Sequence, residues 1–217
     1  MRELKEVYID SDLSVYRVVL PPIGVNTYLL YSRETLLVID PGFEIKSLIE
    51  SFPKRKRRYE YVLLTHSHFD HIAGTKELNF EIAVSTQAKE GLTSPIFNLS
   101  KSLFSEEFSL ENPLTLNIRE GENTLGDLNF NAYVLPGHTP GDTVYDFGNF
   151  IFTGDLVFRD SIGRTDFPFS NSNKMLESLK KFKNIIKNRE DVIIFPGHMG
   201  YTTVKDILYE NYYLRDL

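Results

Sequence analysis

Short apolar runs separated by turn residues alternate along this chain with two different periods. Runs rich in β-branched and aromatic residues predict strands, and apolar residues at helical spacing predict amphipathic helices. Strands are predicted over residues 14–20, 25–31, 35–40, 59–65, 82–85, 114–118, 129–135, 143–147, 150–153 and 192–195. Helices are predicted over residues 44–52, 72–78, 173–187 and 204–214. The pattern is that of a mixed α/β protein.

The segment between residues 86 and 112 has no clear period. Phe97, Phe104 and Phe108 recur in it, which fits either a lid over a pocket or helices packed on the core, and we favour packed helices. No low-complexity linker divides the chain, and the order strands, helix, strand, histidine turn occurs in both halves. Two sheets packed face to face with helices outside accommodate this order, so we predict a single domain over residues 1–217.

Composition narrows the class of protein. The apolar fraction of 41% and the charged fraction of 25% are typical of a globular chain. The absence of cysteine excludes disulfides, thiolate metal ligands and cysteine nucleophiles. The chain shows neither a signal-peptide core nor eighteen consecutive apolar residues. We therefore expect a cytoplasmic protein with no membrane partner.

The charge distribution bears on the partner. A net charge of −6 argues against nucleic acid as the main partner. The basic run at residues 54–58 could attract phosphates or an acidic partner, but a solvated turn before the strand at residues 59–65 is the favoured interpretation. We expect a small molecule to be the substrate.

Three of the five histidines lie within six residues. His66, His68 and His71 form, together with Asp70, an H-x-H-x-D-H motif at the end of the strand predicted over residues 59–65. Open α/β folds place their sites on loops at the carboxyl ends of strands, and a chance match to this motif is rare. A polar loop with solvated histidines is the alternative, but the motif favours a metal site.

The other candidate ligands also stand at strand ends. His138 and His198 each follow an apolar strand and a Pro-Gly pair, and Asp155 follows a strand and Gly154. Imidazole and carboxylate groups suit zinc, iron or manganese. Seven such groups exceed what one tetrahedral ion takes, whereas two ions that share a carboxylate use them all. We expect two divalent ions, zinc first and iron or manganese as alternatives, with Asp155 as the bridging ligand.

With Asp40 in the sequence Val-Ile-Asp-Pro-Gly, these motifs resemble the metallo-β-lactamase superfamily over nearly the full chain. The resemblance implies a four-layer αββα sandwich with the metal ions at one edge of the two sheets. It implies one ion held by His66, His68 and His138, a second held by Asp70, His71 and His198, and Asp155 between them. Asp40 would hold the ligand loop without binding metal; a plain turn residue is the alternative reading.

The residues after Asp155 narrow the resemblance. Residues 154–158 and 161–168 are similar to glyoxalase II-like hydrolases, and residues 163–167 are also similar to persulfide dioxygenases. The short stretch after His198 resembles the glyoxalase II-like branch that lacks a C-terminal helical glutathione-binding domain. Members that hydrolyse β-lactams commonly carry cysteine or serine where Asp155 stands, so antibiotic hydrolysis is not expected.

The resemblance implies a binuclear hydrolase of the hydroxyacylglutathione hydrolase type that cleaves a small thioester with metal-activated water. Asp70 would be the catalytic residue that orients this water, in addition to binding metal. The alternatives are a persulfide dioxygenase with a single iron at His66, His138 and Asp155, and a lactonase or phosphodiesterase on the same scaffold. A metal-binding protein without catalysis is the least expected function.

Arg164 and Asp166 allow two interpretations. They could contact substrate near the metal ions, or they could pair with each other and hold the turn after Asp155. We favour the pairing, on the assumption that the arginine is buried and therefore needs a partner. The sequence leaves the oligomeric state open.

Overall fold

The computed structural model describes residues 4–52 and 57–217, and the chain forms strands and helices throughout both ranges. The strands are β1 (Lys5–Ile9), β2 (Ser14–Leu20), β3 (Val25–Tyr31), β4 (Thr35–Ile39), β5 (Tyr59–Leu63), β6 (Glu81–Ser85), β7 (Thr115–Ile118), β8 (Gly121–Leu125), β9 (Leu128–Val134), β10 (Thr143–Asp146), β11 (Phe150–Gly154), β12 (Ile193–Pro196) and β13 (Thr202–Thr203). The α-helices are α1 (Ile45–Ser51), α2 (Phe69–Ile72), α3 (Ser100–Phe104), α4 (Ser172–Ile186), α5 (Val204–Glu210) and α6 (Tyr212–Arg215). Two 3₁₀ helices cover Ala73–Glu77 and Thr86–Leu92.

The strands form two sheets whose directions bring the strand ends together. The first sheet has the order β1-β2-β3-β4-β5-β6-β7 and the second has the order β13-β12-β11-β10-β9-β8. Strands β4 and β5 are parallel, as are β11 and β12. Strand β9 runs in the same direction as β11 because β10 is antiparallel to both. The carboxyl ends of β9, β11 and β12 therefore lie at one edge of the second sheet, and those of β4 and β5 at one edge of the first.

The central strands are buried on both faces. Along β3, Tyr28 and Leu30 face the core between the sheets, whereas Leu29 packs in the outer core that also contains Ile45 of α1. On the other sheet, Phe152 enters the same inner core and Ile151 packs against α4, α5 and α6. Strands that are covered on both faces have nearly continuous apolar sequences, and the central strands of both sheets have such sequences. The order of layers is helix, sheet, sheet, helix, which confirms the predicted αββα sandwich.

All three strands that the sequence did not predict lie at sheet edges. Strand β1 is the first strand of its sheet, and β8 and β13 are the two ends of the other. An edge strand pairs on one side only and carries polar residues towards solvent. The alternation of apolar and polar residues along an edge strand is therefore weak. In β1 and β8 nearly all residues are exposed or half-buried.

Two predicted helices needed correction. The helix expected over residues 72–78 is instead α2 followed by a 3₁₀ helix. At Gly74 the backbone packs directly on Gly42, and the amide of Gly74 donates to the carbonyl of Pro41. The helix expected over residues 204–214 breaks at Asn211, whose side chain caps α6. The side-chain amide of Asn211 also donates to the carbonyl of Phe158 at 2.9 Å, so a tertiary contact accompanies the end of the helix in both cases.

The segment from 86 to 112 packs on the core, as favoured. Phe97 and Phe108 are buried, and the ring of Phe69 lies 5.1 Å from that of Phe104 and 5.3 Å from that of Phe108. Part of this segment, at α3, is also exposed to solvent and lies next to the loops that carry the candidate ligands. Within the described ranges, no helix has the length and apolar character needed to cross a bilayer.

Part of the basic run lies outside the described residues, namely 54–56. Of the rest, Arg57 pairs with Glu60 at 3.1 Å, and Arg58 lies 3.9 Å from Glu34. Both arginines precede the amino end of β5, which is opposite to the end that carries His66. Their acidic neighbours and this position fit a solvated turn.

Candidate metal centre

Asp40 holds the start of the histidine loop. It follows β4, as Thr65 follows the neighbouring parallel strand β5. Its buried carboxylate accepts hydrogen bonds from the amide of Thr65 at 2.8 Å and from the hydroxyl of Thr65 at 2.6 Å. Its Oδ2 also lies 2.9 Å from Nδ1 of His71. These contacts match the loop-holding role that the resemblance implies for Asp40.

Three histidine rings are oriented by acceptors behind them. Nδ1 of His71 faces the Asp40 carboxylate, Nδ1 of His138 lies 2.8 Å from the carbonyl oxygen of Arg164, and Nδ1 of His198 lies 3.2 Å from that of Gly24. A carbonyl or carboxylate only accepts, so Nδ1 carries the proton in each bond. The lone pair of Nε2 then points away from the acceptor and towards the other ligands, as metal binding requires.

The structure brings all seven predicted ligand residues together at one edge of the two sheets. Their ligand atoms form groups in which every atom lies within 4.8 Å of the others. The groups are His66, His68 and His138; Asp70, His71 and His198; and His66, His71 and Asp155. The first two are the two ligand sets that the resemblance implies.

Asp155 contacts members of both sets. Its Oδ1 lies 3.4 Å from Nε2 of His71, and its Oδ2 lies 3.5 Å from Nε2 of His138 and 3.6 Å from Nε2 of His198. Within the sets, Nδ1 of His68 is 2.8 Å from Nε2 of His138. Oδ1 faces the second set and Oδ2 lies between the two sets, which is a placement that a bridging carboxylate can use.

The residues fit divalent metal ions. Nε2 of His66 and Oδ1 of Asp155 are buried and have no hydrogen-bond partner among residues 4–52 and 57–217. Leaving such an atom unsatisfied costs about 1–3 kcal/mol, and a cation at the centre would satisfy both. Five imidazoles and two carboxylates form a donor set that zinc, iron and manganese accept.

The pKa shifts show two kinds of histidine. Burial lowers the pKa of His66 well below its usual range, and burial together with His138 lowers the pKa of His68 to about 3. Burial also acts to lower the pKa of His71 and His198, but nearby carboxylates raise both above the usual value, with Asp155 acting on each. Burial thus favours the neutral form of His66 and His68, whereas a metal ion at His71 or His198 would have to displace the proton that the carboxylates favour on Nε2.

The two carboxylates are ionised in spite of their burial. Burial acts to raise the pKa of Asp70 and of Asp155, but His71 and His198 lower it below the usual value in each case. Nε2 of His198 lies 3.0 Å from Oδ2 of Asp70. Buried acids and imidazoles that shift one another's pKa values in this way are typical of functional sites.

Asp142 shapes the loop that carries His138, and the sequence analysis missed it. Its buried carboxylate accepts from the amide of His138 at 2.8 Å and from the amide of Thr139 at 2.8 Å. The Thr139 hydroxyl also donates to it. Burial raises the pKa of Asp142 to about 6, although His138 and Thr139 act in the opposite direction. Thr139 and Asp142 stand three residues apart in a turn, and this spacing is the sequence feature from which the role of Asp142 could have been predicted.

Asn26 and Tyr28 hold the loop of His198 and were also missed. The side-chain amide of Asn26 donates to the carbonyls of Pro196 and Met199, both at 2.9 Å, and the Tyr28 hydroxyl donates to that of Pro196 at 2.8 Å. Both residues belong to β3, in the opposite sheet. Asparagine is depleted in strands, so Asn26 within the apolar and β-branched run at residues 25–31 was the available signal in the sequence.

Arg164 and Asp166 pair with each other, as favoured. Nε and Nη2 of the arginine donate to the two carboxylate oxygens at 2.9 and 2.8 Å. The assumption of a buried arginine was wrong, because the two side chains are 65% and 66% exposed. They stand at the rim of a cleft of about 440 Å³ that ends on His138, Asp155 and His198.

The family model described as the metallo-beta-lactamase superfamily matches residues 20–198. The chain belongs to the metallo-β-lactamase superfamily. Among similar proteins of this superfamily is the hydroxyacylglutathione hydrolase GloC of Haemophilus influenzae, which is 31% identical over 82% of this chain and 87% of its own length.

Two solved structures share the superfamily fold at comparable identity. The BLEG-1 B3 metallo-beta-lactamase is 29% identical with a TM-score of 0.80, over 92% of this chain and 99% of its own. TTHA1623, solved in a di-iron-bound form, is 27% identical with a TM-score of 0.74, over 91% of this chain and 99% of its own. Together these similarities identify a metal-dependent hydrolase of the metallo-β-lactamase superfamily.

Proposed function

We propose that this protein is a binuclear metallohydrolase that cleaves small-molecule thioesters. The observation that carries the proposal is the pair of three-residue ligand groups with Asp155 in contact with both. A single-iron persulfide dioxygenase would use His66, His138 and Asp155 and would leave the second group without a role. The similarity to a hydroxyacylglutathione hydrolase over most of both chains supports thioesters as the substrate class.

The proposed ligand assignment follows the two groups. His66, His68 and His138 would hold one ion, Asp70, His71 and His198 would hold the other, and Asp155 would be shared by both. Zinc is the proposed metal, with iron as the second choice because the similar TTHA1623 was solved with two irons. Imidazole and carboxylate ligands accept either metal, so availability in the cell also decides.

The metal ions, when bound, supply an acidified water and a Lewis acid for the carbonyl oxygen of the substrate. Asp70 would accept a hydrogen bond from this water through its carboxylate and so orient it; its Oδ2 lies 3.0 Å from Nε2 of His198, a ligand of the same ion in the proposed assignment. His71 stays in position through Asp40, and His138 through Arg164. No serine or cysteine nucleophile takes part. The thiol leaves through the open cleft beside Asp155.

The proposal is tested by metal analysis of the purified protein combined with turnover. The substrates are S-lactoylglutathione, a short acyl thioester of N-acetylcysteamine, glutathione persulfide with oxygen, and a chromogenic β-lactam. We expect two metal ions per chain and release of thiol from a thioester. One iron per chain with oxygen uptake would replace the proposal by a persulfide dioxygenase. Cleavage of the β-lactam alone would refute thioesters as the substrate class.

A further inference from the structure

The cleft that ends on the ligand residues has apolar walls. They include Leu103, Phe104, Phe158, Ile162, Phe167 and Met199. Leu103 and Met199 are 53% and 56% exposed, at the mouth of the cleft. A contiguous exposed apolar patch marks a binding site, unlike apolar residues scattered singly. The volume of about 440 Å³ lies within the usual range for small-molecule sites.

The apolar walls reach the ligand residues themselves. The ring centroid of Phe167 lies 5.8 Å from that of His68 and 5.9 Å from that of His138. On the other side, the ring of Phe158 lies 6.2 Å from that of His198. A substrate group that packs between Phe158 and Phe167 would therefore lie next to the ligand residues.

The cleft offers no free positive charge to a substrate. Arg164 is the only lysine or arginine among the described residues that line it. Its Nε and Nη2 both donate to Asp166, and its guanidinium carbon lies 4.2 Å from the centre of the Phe167 ring. The bidentate edge of the guanidinium, which would otherwise suit a substrate carboxylate, is therefore already occupied. The two carboxylates of a glutathione thioester would have to compete with Asp166 for this one arginine.

We infer that the substrate is an uncharged thioester with an aliphatic or aromatic chain in this cleft, and that Asp166 enforces the preference by occupying Arg164. The inference rests on the proposed thioester hydrolysis and names its substrate class. Leu103 and Ile162 become specificity residues, because they line the walls of the cleft. Asp166 is a positioning residue that acts through Arg164.

The first experiment measures kcat/KM for thioesters that lengthen on one side at a time. One series extends the acyl group of N-acetylcysteamine thioesters from two to eight carbons, and the other extends an uncharged S-alkyl group on an acetyl thioester. Burying one methylene is worth about a threefold change in a partly open site. We expect kcat/KM to rise by about that factor per carbon in one of the series, and to exceed the value for S-lactoylglutathione.

The second experiment compares variants with matched controls. Leu103→Asp puts a charge into the wall at an exposed position, and we expect it to abolish the rise of kcat/KM with chain length. Leu114→Asp is the control, since Leu114 is 79% exposed at the amino end of β7, away from the cleft. Asp166→Asn frees Arg164, and we expect it to raise kcat/KM for S-lactoylglutathione about fivefold without raising that for neutral thioesters. Asp12→Asn, which frees Arg33 instead, is its control.

The outcomes separate this inference from the proposed function. If the metal-loaded protein cleaves no thioester at all, the proposed function fails and the inference fails with it. If it cleaves thioesters but both series are flat, or S-lactoylglutathione is the better substrate by tenfold, the function stands and the inference is overturned. An unchanged preference in Asp166→Asn would overturn the part assigned to Asp166.

Discussion

Gly197 leaves room for the carboxylate of Asp155. A Cβ on Gly197 would overlap Oδ1 of Asp155 and would stand 2.6 Å from Cε1 of His71. The two residues follow the parallel strands β12 and β11, so their backbones run side by side at the sheet edge. Glycine is required here by close approach, directly before the ligand residue His198.

We expect Gly197→Ala to displace Asp155 and to lower metal content and turnover together. A displacement of about 1 Å at a reacting centre costs on the order of a hundredfold in rate. Metal analysis and kcat measured on the same preparation provide the check. Gly200→Ala is the matched control, because a Cβ there meets no atom within 4 Å. Equal metal content in the two variants would contradict the steric argument.

Asp70→Ala should lose one metal ion per chain and nearly all turnover. The substitution removes a carboxylate whose Oδ2 stands 3.0 Å from Nε2 of His198 and 3.4 Å from Nε2 of His71. Titration with zinc, read by calorimetry, counts the remaining sites. Asp160→Ala, at an exposed carboxylate outside both ligand groups, should retain both. Wild-type turnover by the Asp70 variant with one ion fewer would refute the role proposed for this residue.

Asp40→Asn should weaken metal binding without removing a ligand. The amide has only one acceptor oxygen for the three hydrogen bonds that the carboxylate receives from Thr65 and His71. Loss of a partner that orients a ligand typically costs 10- to 100-fold in metal affinity. Competition with a chelator measures the affinity.

Asp127→Asn provides the comparison for Asp40. Asp127 accepts from the hydroxyls of Ser32 and Thr35 at 2.6 and 2.5 Å, at the amino end of β4 and therefore at the opposite end from the ligands. Its substitution should affect stability and leave metal affinity unchanged. A comparable loss of affinity in both variants would mean that the Asp40 effect is general destabilisation.

Asp142→Ala should destabilise the fold and disturb His138. The substitution removes the oxygen that accepts from the amides of both His138 and Thr139, and leaving buried donors unsatisfied costs about 1–3 kcal/mol. In a chain of this size each kcal/mol lowers Tm by about 2–4 °C. Thermal unfolding of the metal-free proteins measures the change directly. A Tm equal to that of the wild type would show that water or another group replaces the lost acceptor.

The candidate ligands and the layered architecture could be predicted because their signals are local. Apolar runs buried on both faces marked the central strands, and the Pro-Gly turns before His138 and His198 marked where those strands end. Edge strands such as β1 and β8 escaped prediction because they pair on one side and carry polar residues. The end of α2, within the helix predicted over residues 72–78, depended on Gly74 packing on Gly42, a contact that the local sequence pattern does not show.

The sequence by itself determined which imidazoles and carboxylates stand at the ends of strands, because strand period and turn chemistry are properties of neighbouring residues. Only the tertiary structure decided that Asp155 faces both ligand groups, that Asn26 on one sheet holds the His198 loop on the other, and that Arg164 is exposed and paired at an apolar cleft. These relationships join residues that are distant in the chain. They arise from how two sheets pack and how parallel strand ends meet, and no local periodicity records them.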